Sequence, residues 1–246
     1  MNNASIRYLP KLDYSATEAM NTLATNITFC GSDTKVIQIT SCREREGKSS
    51  ICLGLWRTLA QMGYRVLLVD ADLRRSVFNS TYGVRFQTSR QGLTHFLSKD
   101  GLNVEDVVYR TNVENGYLLP SGHDVANSNQ LLSSRRLSDL MKELKGWFDY
   151  VIVDTTPVGA IVDAATISQW CDGTLLVITQ DETTKQEIIR AKEQIEKAGQ
   201  PVLGAILNRV AMDKSSSRYY NKAYYSAYES YYYQTDERKG KKKAKK

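Results

Sequence analysis

Metal-binding and disulfide chemistry are thinly supplied in this 246-residue chain, whose four cysteines (Cys30, Cys42, Cys52, Cys171) form no CxxC pair and whose histidines number two. Neither a zinc site nor a disulfide framework is supported, and a reducing cytoplasm suits the chain best. Nowhere does an uncharged apolar run approach the roughly 18 residues that span a bilayer. The opening residues, MNNASIRYLPKLDYS, also lack the apolar core of a signal peptide. Any membrane association is therefore expected to be peripheral and borrowed from a partner. Through Ser217 the sequence lacks a charge excess as well, with 24 basic and 24 acidic residues, and the net +6 arises from 9 basic against 3 acidic residues in the last 29. A body without net charge has no global footprint for a phosphate polymer, which argues against a specific nucleic-acid partner. After Met212 there is no Val, Ile, Leu, Met, Phe or Trp. Such a segment cannot bury enough apolar area to offset the entropy of ordering, so 213–246 reads as a disordered tail.

What the rest contains is a succession of short apolar runs, most of them with β-branched residues: KVIQIT (35–40), RVLLVD (65–70), YLLP (117–120), YVIVD (150–154), TLLVIT (174–179) and VLGAIL (202–207). They are apolar without alternation, as in strands covered on both faces by helices. Between the last two, Thr184 and Glu187 form a capping box, Ile188, Ala191 and Ile195 share a face, and Gly199 with Pro201 stops the helix. A second box, Ser15 with Glu18, precedes Met20, Leu23 and Ile27 and predicts a helix ahead of the first of these runs. The expected architecture is α/β: an N-terminal helical segment (1–34), a mainly parallel sheet flanked by helices (35–212) with right-handed crossovers, and the tail (213–246).

The sharpest local feature is EGKSS at 46–50, between the run 35–40 and a helical stretch. There the backbone of Arg45, Glu46, Gly47, Lys48, Ser49 and Ser50 would face phosphate oxygens, with Lys48 on the β/γ-phosphates and the Ser49 hydroxyl on Mg²⁺. An ordinary strand-to-helix turn is the alternative for that fragment alone, since Cys42 stands where a phosphate loop has its first glycine. Asp70 and Asp72 end one strand and Asp154 ends another, on the carboxyl edge where open α/β sheets bind ligands. Singly each would be a cap or turn residue. Together they are the oxygen ligands that Mg²⁺ with ATP requires.

The loop ending Gly47-Lys48-Ser49, the hhhhDxD motif at Val66–Asp72, the DxxP at Asp154–Pro157, SGHDVANSNQLLSS (121–134), GAILNRV (204–210) and a terminal tyrosine cluster together resemble the bacterial tyrosine kinases. The match is narrower still to the separate cytoplasmic kinase subunit of capsule and exopolysaccharide loci. The resemblance implies a P-loop NTPase-type fold and protein-tyrosine kinase activity with ATP and Mg²⁺. It gives Ser49 and Asp70 to the metal, Asp154 to the metal through water, Asp72 the role of base toward the tyrosine hydroxyl, and Asn208 a contact with adenine. It also implies a homo-oligomer, a tyrosine phosphatase, and a membrane-embedded polysaccharide co-polymerase adaptor whose cytoplasmic tail activates the kinase. Two departures stand out. The family's usual Pro-Gly is Glu44-Arg45 here, and its ring-forming Glu-x-x-Arg-x-x-Arg reads Glu18, Asn21 and Ala24.

Eight of the 15 tyrosines (Tyr219, Tyr220, Tyr224, Tyr225, Tyr228, Tyr231, Tyr232, Tyr233) fall in one 15-residue window. Beside a kinase this cluster reads as an autophosphorylation segment rather than a nucleic-acid-binding or low-complexity tract. The competing reading of the whole chain is a ParA/MinD-like switch ATPase, whose signature loop lysine is Arg43 here. A nucleotide-binding scaffold disabled by Glu44-Arg45 is a third. Eukaryotic-type kinase chemistry is not supported, since neither HRD nor DFG occurs.

Overall fold

Alternate side chains of each central strand leave on opposite faces, and both faces are covered by helices, which is why the strand sequences show no polar alternation. The computed structural model describes residues 1–210. The predicted end of the domain at 212 and the tyrosine-rich tail lie outside the described residues. Among the described residues nine strands form one sheet: β1 (Asn2–Ser5), β2 (Val36–Ser41), β3 (Val66–Asp70), β4 (Arg85–Phe86), β5 (Tyr109–Arg110), β6 (Gly116–Leu119), β7 (Tyr150–Asp154), β8 (Gly173–Thr179) and β9 (Val202–Asn208), in the order β4-β1-β5-β6-β3-β7-β2-β8-β9. From β6 to β9 every neighbour pair is parallel. β5 runs antiparallel to β6, and β4 antiparallel to β1.

The helices are α1 (Tyr14–Thr28), α2 (Lys48–Gln61), α3 (Phe78–Thr81), α4 (Leu93–Ser98), α5 (Val104–Val107), α6 (Ser128–Leu132), α7 (Arg135–Trp147), α8 (Asp163–Ser168) and α9 (Lys185–Lys197). One face of the sheet packs Leu67, Val69, Val151 and Val153 against α4 to α8, while Ile37, Ile39, Leu68 and Ile152 pack on α1 and α2 on the other. Trp56 of α2 is fully buried, and its indole N–H donates to the carbonyls of Val66 and Tyr117 at 3.0 and 3.1 Å, pinning α2 across β3 and β6.

The six predicted strands are all present. The capping box predicted for α9 forms, with Thr184 accepting from the N–H of Glu187. At α1 the cap is Asp13 rather than Ser15. The Asp13 carboxylate accepts from the Ala16 N–H at 2.8 Å, and Glu18 accepts from the Asn21 amide instead. Asp is at least as good an N-cap as Ser, and starting there lengthens the helix. The N-terminal segment is also not purely helical, since Asn2–Ser5 form β1. Ala24, third member of the altered ring motif, is buried in the α1–α2 core. Among the described residues no helix is long and apolar enough to cross a membrane.

Candidate active site

The chain leaves β2, crosses to α2 and returns as β3, and β7 later inserts between those two strands. That ordering opens a crevice at the carboxyl edge of the sheet, with Asp70 and Asp154 as register partners at adjacent strand ends. The loop from Cys42 to Gly47 delivers Lys48 and Ser49 as the first two residues of α2, at the positive end of the helix. Lys48, Ser49, Asp70, Asp72, Asp154 and Thr155, with Ser76, Val77 and Phe78 of the following turn, line one cleft.

The loop is held from behind. Gly47 has φ 88°, and a Cβ there would sit 2.3 Å from Nδ2 of Asn208, so any other residue would be strained and would push that amide aside. Asn208 donates that same amide to the Glu46 carbonyl at 2.8 Å. The predicted adenine contact is thus engaged by the loop backbone. Glu46 points inward, not toward the phosphate side, at 2% exposure. Its carboxylate accepts from the N–H of Arg43 at 2.7 Å, the N–H of Thr179 at 3.2 Å, and the hydroxyl of Thr183. Glu46→Ala removes an acceptor from the part-buried N–H of Arg43, the buried N–H of Thr179 and the Thr183 hydroxyl. We expect it to lower unfolding free energy by about 2–4 kcal/mol, read as a lower midpoint in urea. Ser50 also turns from the cleft, its hydroxyl lying 3.1 Å from that of Tyr82. Arg45 adopts φ 62°, a left-handed conformation that costs a non-glycine residue about 1–2 kcal/mol.

The two strand-end carboxylates are almost completely buried, Asp70 at 1% and Asp154 at 4% exposure. Burial pushes Asp70 up to about 7, opposed by the hydroxyls of Ser76 and Ser121 beside it. Burial likewise pushes Asp154 to about 6, with Ser49, Lys48 and Cys52 pulling the other way. Oδ1 of Asp154 is buried without a hydrogen-bond partner. Asp72 is half-buried and differs from both: its Oδ1 accepts from the N–H groups of Arg74 and Arg75 at 3.2 and 3.1 Å. Among the described residues no three acidic, histidine or cysteine side chains close into a metal cage. Mg²⁺ does not need one, since it is held through one or two carboxylates and keeps water or substrate phosphate for most of the rest.

Raised carboxylate values carry a stability consequence. The folded state resists charging Asp70 and Asp154, so their contribution is fully present below the unfolded value of about 4 and is lost as pH rises through about 6 to 7. Glu187, held at about 2 by Arg43, has the opposite sign, but its effect falls below pH ~4.5. Nucleotide-free protein should therefore melt higher at pH 5 than at pH 8, by on the order of 1–3 kcal/mol from the two aspartates. Asp70→Asn should flatten that slope and raise the pH 8 melting temperature. An unchanged slope in melting curves of the variant would refute the assignment.

A phosphate loop at a helix N-terminus, facing acidic strand ends across a topological switch point, defines the class of P-loop nucleotide-binding α/β proteins. A family profile described as an AAA domain matches residues 34–203. The tyrosine-protein kinase CpsD of Streptococcus agalactiae serotype Ia is 40% identical over 194 residues, covering 79% of this chain and 82% of that protein. The chain belongs to this bacterial tyrosine kinase family. Among solved structures, the kinase domain of Escherichia coli tyrosine kinase ETK superposes with a TM-score of 0.75 at 26% identity, covering 86% of this chain and 90% of that one. The septum site-determining protein MinD of Pyrococcus horikoshii, complexed with Mg-ADP, is a more distant likeness, with a TM-score of 0.62 at 27% identity over 73% of this chain and 72% of that one.

Proposed function

We propose that this chain is a Mg-ATP-dependent protein-tyrosine kinase that phosphorylates its own C-terminal cluster, Tyr219 to Tyr233, in trans within a homo-oligomer. It would regulate capsular or exopolysaccharide synthesis with a membrane-embedded adaptor that activates it and holds it at the membrane, and a tyrosine phosphatase would reset it. The observation that carries this reading is the division of labour among three carboxylates in one cleft. Asp70 and Asp154 are buried beside Lys48 and Ser49, while Asp72 sits at the rim with one oxygen braced by backbone N–H groups.

The residues fit a hydrated Mg²⁺. The donors are hard oxygens, and the unpartnered Oδ1 of Asp154 is a buried acceptor lacking only a donor or a cation. Ser49, Asp70 and Asp154 would hold the ion, which supplies neutralisation of phosphate charge. Lys48 and the N–H groups opening α2 bind and orient the anionic phosphates. Asp72 stands ready to accept the phenolic proton. Catalysis of this kind is chiefly positioning and charge neutralisation, so a rigidly braced loop matters more than a reactive side chain.

The switch-ATPase alternative is disfavoured by Arg43, which occupies the place of that group's signature lysine. Its guanidinium is committed to Glu187 of α9 through bonds of 2.6 and 2.8 Å. The two readings separate when purified protein is incubated with Mg-ATP, with and without the adaptor's cytoplasmic segment, and phosphotyrosine is mapped by mass spectrometry. Label on Tyr219–Tyr233 supports the kinase. ATP hydrolysis without tyrosine label would favour the switch. Each phosphate adds about −1.5 to −2 charges, so modifying about four tyrosines would cancel the tail's +6. Tail phosphorylation would then act as an electrostatic switch on assembly.

A further inference from the structure

Asp163 opens α8 at 1% exposure and lines no part of the nucleotide cleft. Its carboxylate gathers donors from two other segments. Nε and Nη2 of Arg74 reach it at 2.8 and 3.2 Å, and the hydroxyl of Ser128, at the start of α6, donates at 2.5 Å. Arg74 follows Asp72 by two residues, and its own backbone N–H is one of the two that brace Asp72 Oδ1. The guanidinium therefore has two carboxylates within reach of its flexible stem, and the charge of Asp72 acts on it.

The buried carboxylate wins for a physical reason. Asp163 unpaired would be an uncompensated charge in the interior, whereas Asp72 at the cleft can be solvated. The bidentate fork is also the strongest hydrogen-bonded pairing available to a guanidinium, and Ser128 adds a third bond to the same acceptor. The result is that Oδ2 of Asp72 is left without a hydrogen bond among the described residues. Were Arg74 to turn back, its fork would occupy the oxygen that a substrate hydroxyl must reach.

We propose that Asp163, steadied by Ser128, is a positioning residue for phosphoryl transfer: it draws the Arg74 guanidinium away from Asp72 and keeps that carboxylate open to the tyrosine hydroxyl. The inference rests on the reading of Asp72 as the proton acceptor. It gives the DxDxR stretch at Asp70–Arg74 and the loop leading to Ser128 a joint task that neither the metal nor the nucleotide requires.

The test uses the full chain with Mg-ATP and the adaptor's cytoplasmic segment, measuring initial rates of phosphotyrosine formation against ATP concentration. Asp163→Asn should lower kcat by about 10- to 100-fold with KM for ATP within about threefold, because the phosphate loop is untouched. Adding Arg74→Gln to that variant should restore kcat by about tenfold, since the freed cation is gone. A merely structural role makes the opposite forecast. The double variant would be no better than the single one, and melting temperature and KM would worsen together; that result, or an unaffected Asp163→Asn, overturns the proposal. If the single variant does not fold, the double variant, which buries no unpaired charge, decides. It should keep kcat within about tenfold of the parent, and inactivity in it overturns the inference. An Asp72→Asn control separates the two levels. Full activity in that control removes the base reading itself, whereas an inactive control beside an unaffected Asp163→Asn removes only the role of Asp163.

Discussion

Lys48→Met is expected to reduce phosphotyrosine formation by at least about 10²–10³-fold while leaving a folded protein. Lys48 is the first residue of α2, half-buried, with its charge directed at the cleft that holds Asp154. A cation placed there before substrate arrives needs no reorganisation when charge shifts between phosphate oxygens, which is why such a group counts for more in a dry cleft than in water. Methionine keeps most of the aliphatic stem and its packing but supplies no charge and no donor. Nucleotide affinity should fall along with the rate, because a lysine in this role would meet the phosphates in the ground state as well as in the transition state. In the free protein the substitution removes one of the groups that oppose the effect of burial on Asp154, so that carboxyl should be pushed further up. Mass-spectrometric mapping of the tail and a thermal melt of the same sample check both halves. Full labelling in a well-folded variant would sink the site assignment.

Much of the sheet could be read from the sequence because its central strands announce themselves by short runs dominated by Val, Ile and Leu. β1, β4 and β5 could not. They are two to four residues long, and they exist through pairings between distant segments, such as Asn2 with Tyr109 and Ala4 with Phe86, that leave no local pattern. The cleft was legible for a related reason. Lys48, Ser49, Asp70, Asp72 and Asp154 sit at strand ends and at a helix start, where topology alone sends them to one edge. What stayed hidden is the bracing. Glu46 reaches Thr179 133 residues away, Arg43 reaches Glu187 across 144, and Arg74 reaches Asp163 across 89. Glu187 showed only its local use, as the capping partner of Thr184. Its second use, gripping Arg43, follows from α9 lying beside the phosphate loop. Family resemblance alone points to Asn208, and its place beside Gly47 supplies a steric reason for the glycine.

Asp72→Asn should lower phosphotransfer by about 10²–10⁴-fold with nucleotide binding preserved. Asparagine keeps the Oδ1 acceptor for the N–H groups of Arg74 and Arg75, so the turn after β3 should hold its shape. What it loses is the anionic oxygen on the other side, which becomes an amide that cannot take a proton. A phenol is a weak acid with a pKa of about 10, so at neutral pH its proton must depart as the phosphoryl group arrives, and an acceptor in hydrogen-bond reach contributes at that moment. Asp70 and Asp154 are engaged elsewhere: Asp154 lies beside Lys48 and Ser49 of the phosphate loop, and Asp70 is held by the hydroxyls of Ser76 and Ser121. The measurement is a pair of titrations: a fluorescent ATP analogue for affinity, and initial-rate phosphotyrosine formation for kcat. Equal losses in both would mean that Asp72 serves nucleotide binding instead. An unchanged rate would mean that the proton leaves without help from this side chain, as a late, largely dissociative transfer allows.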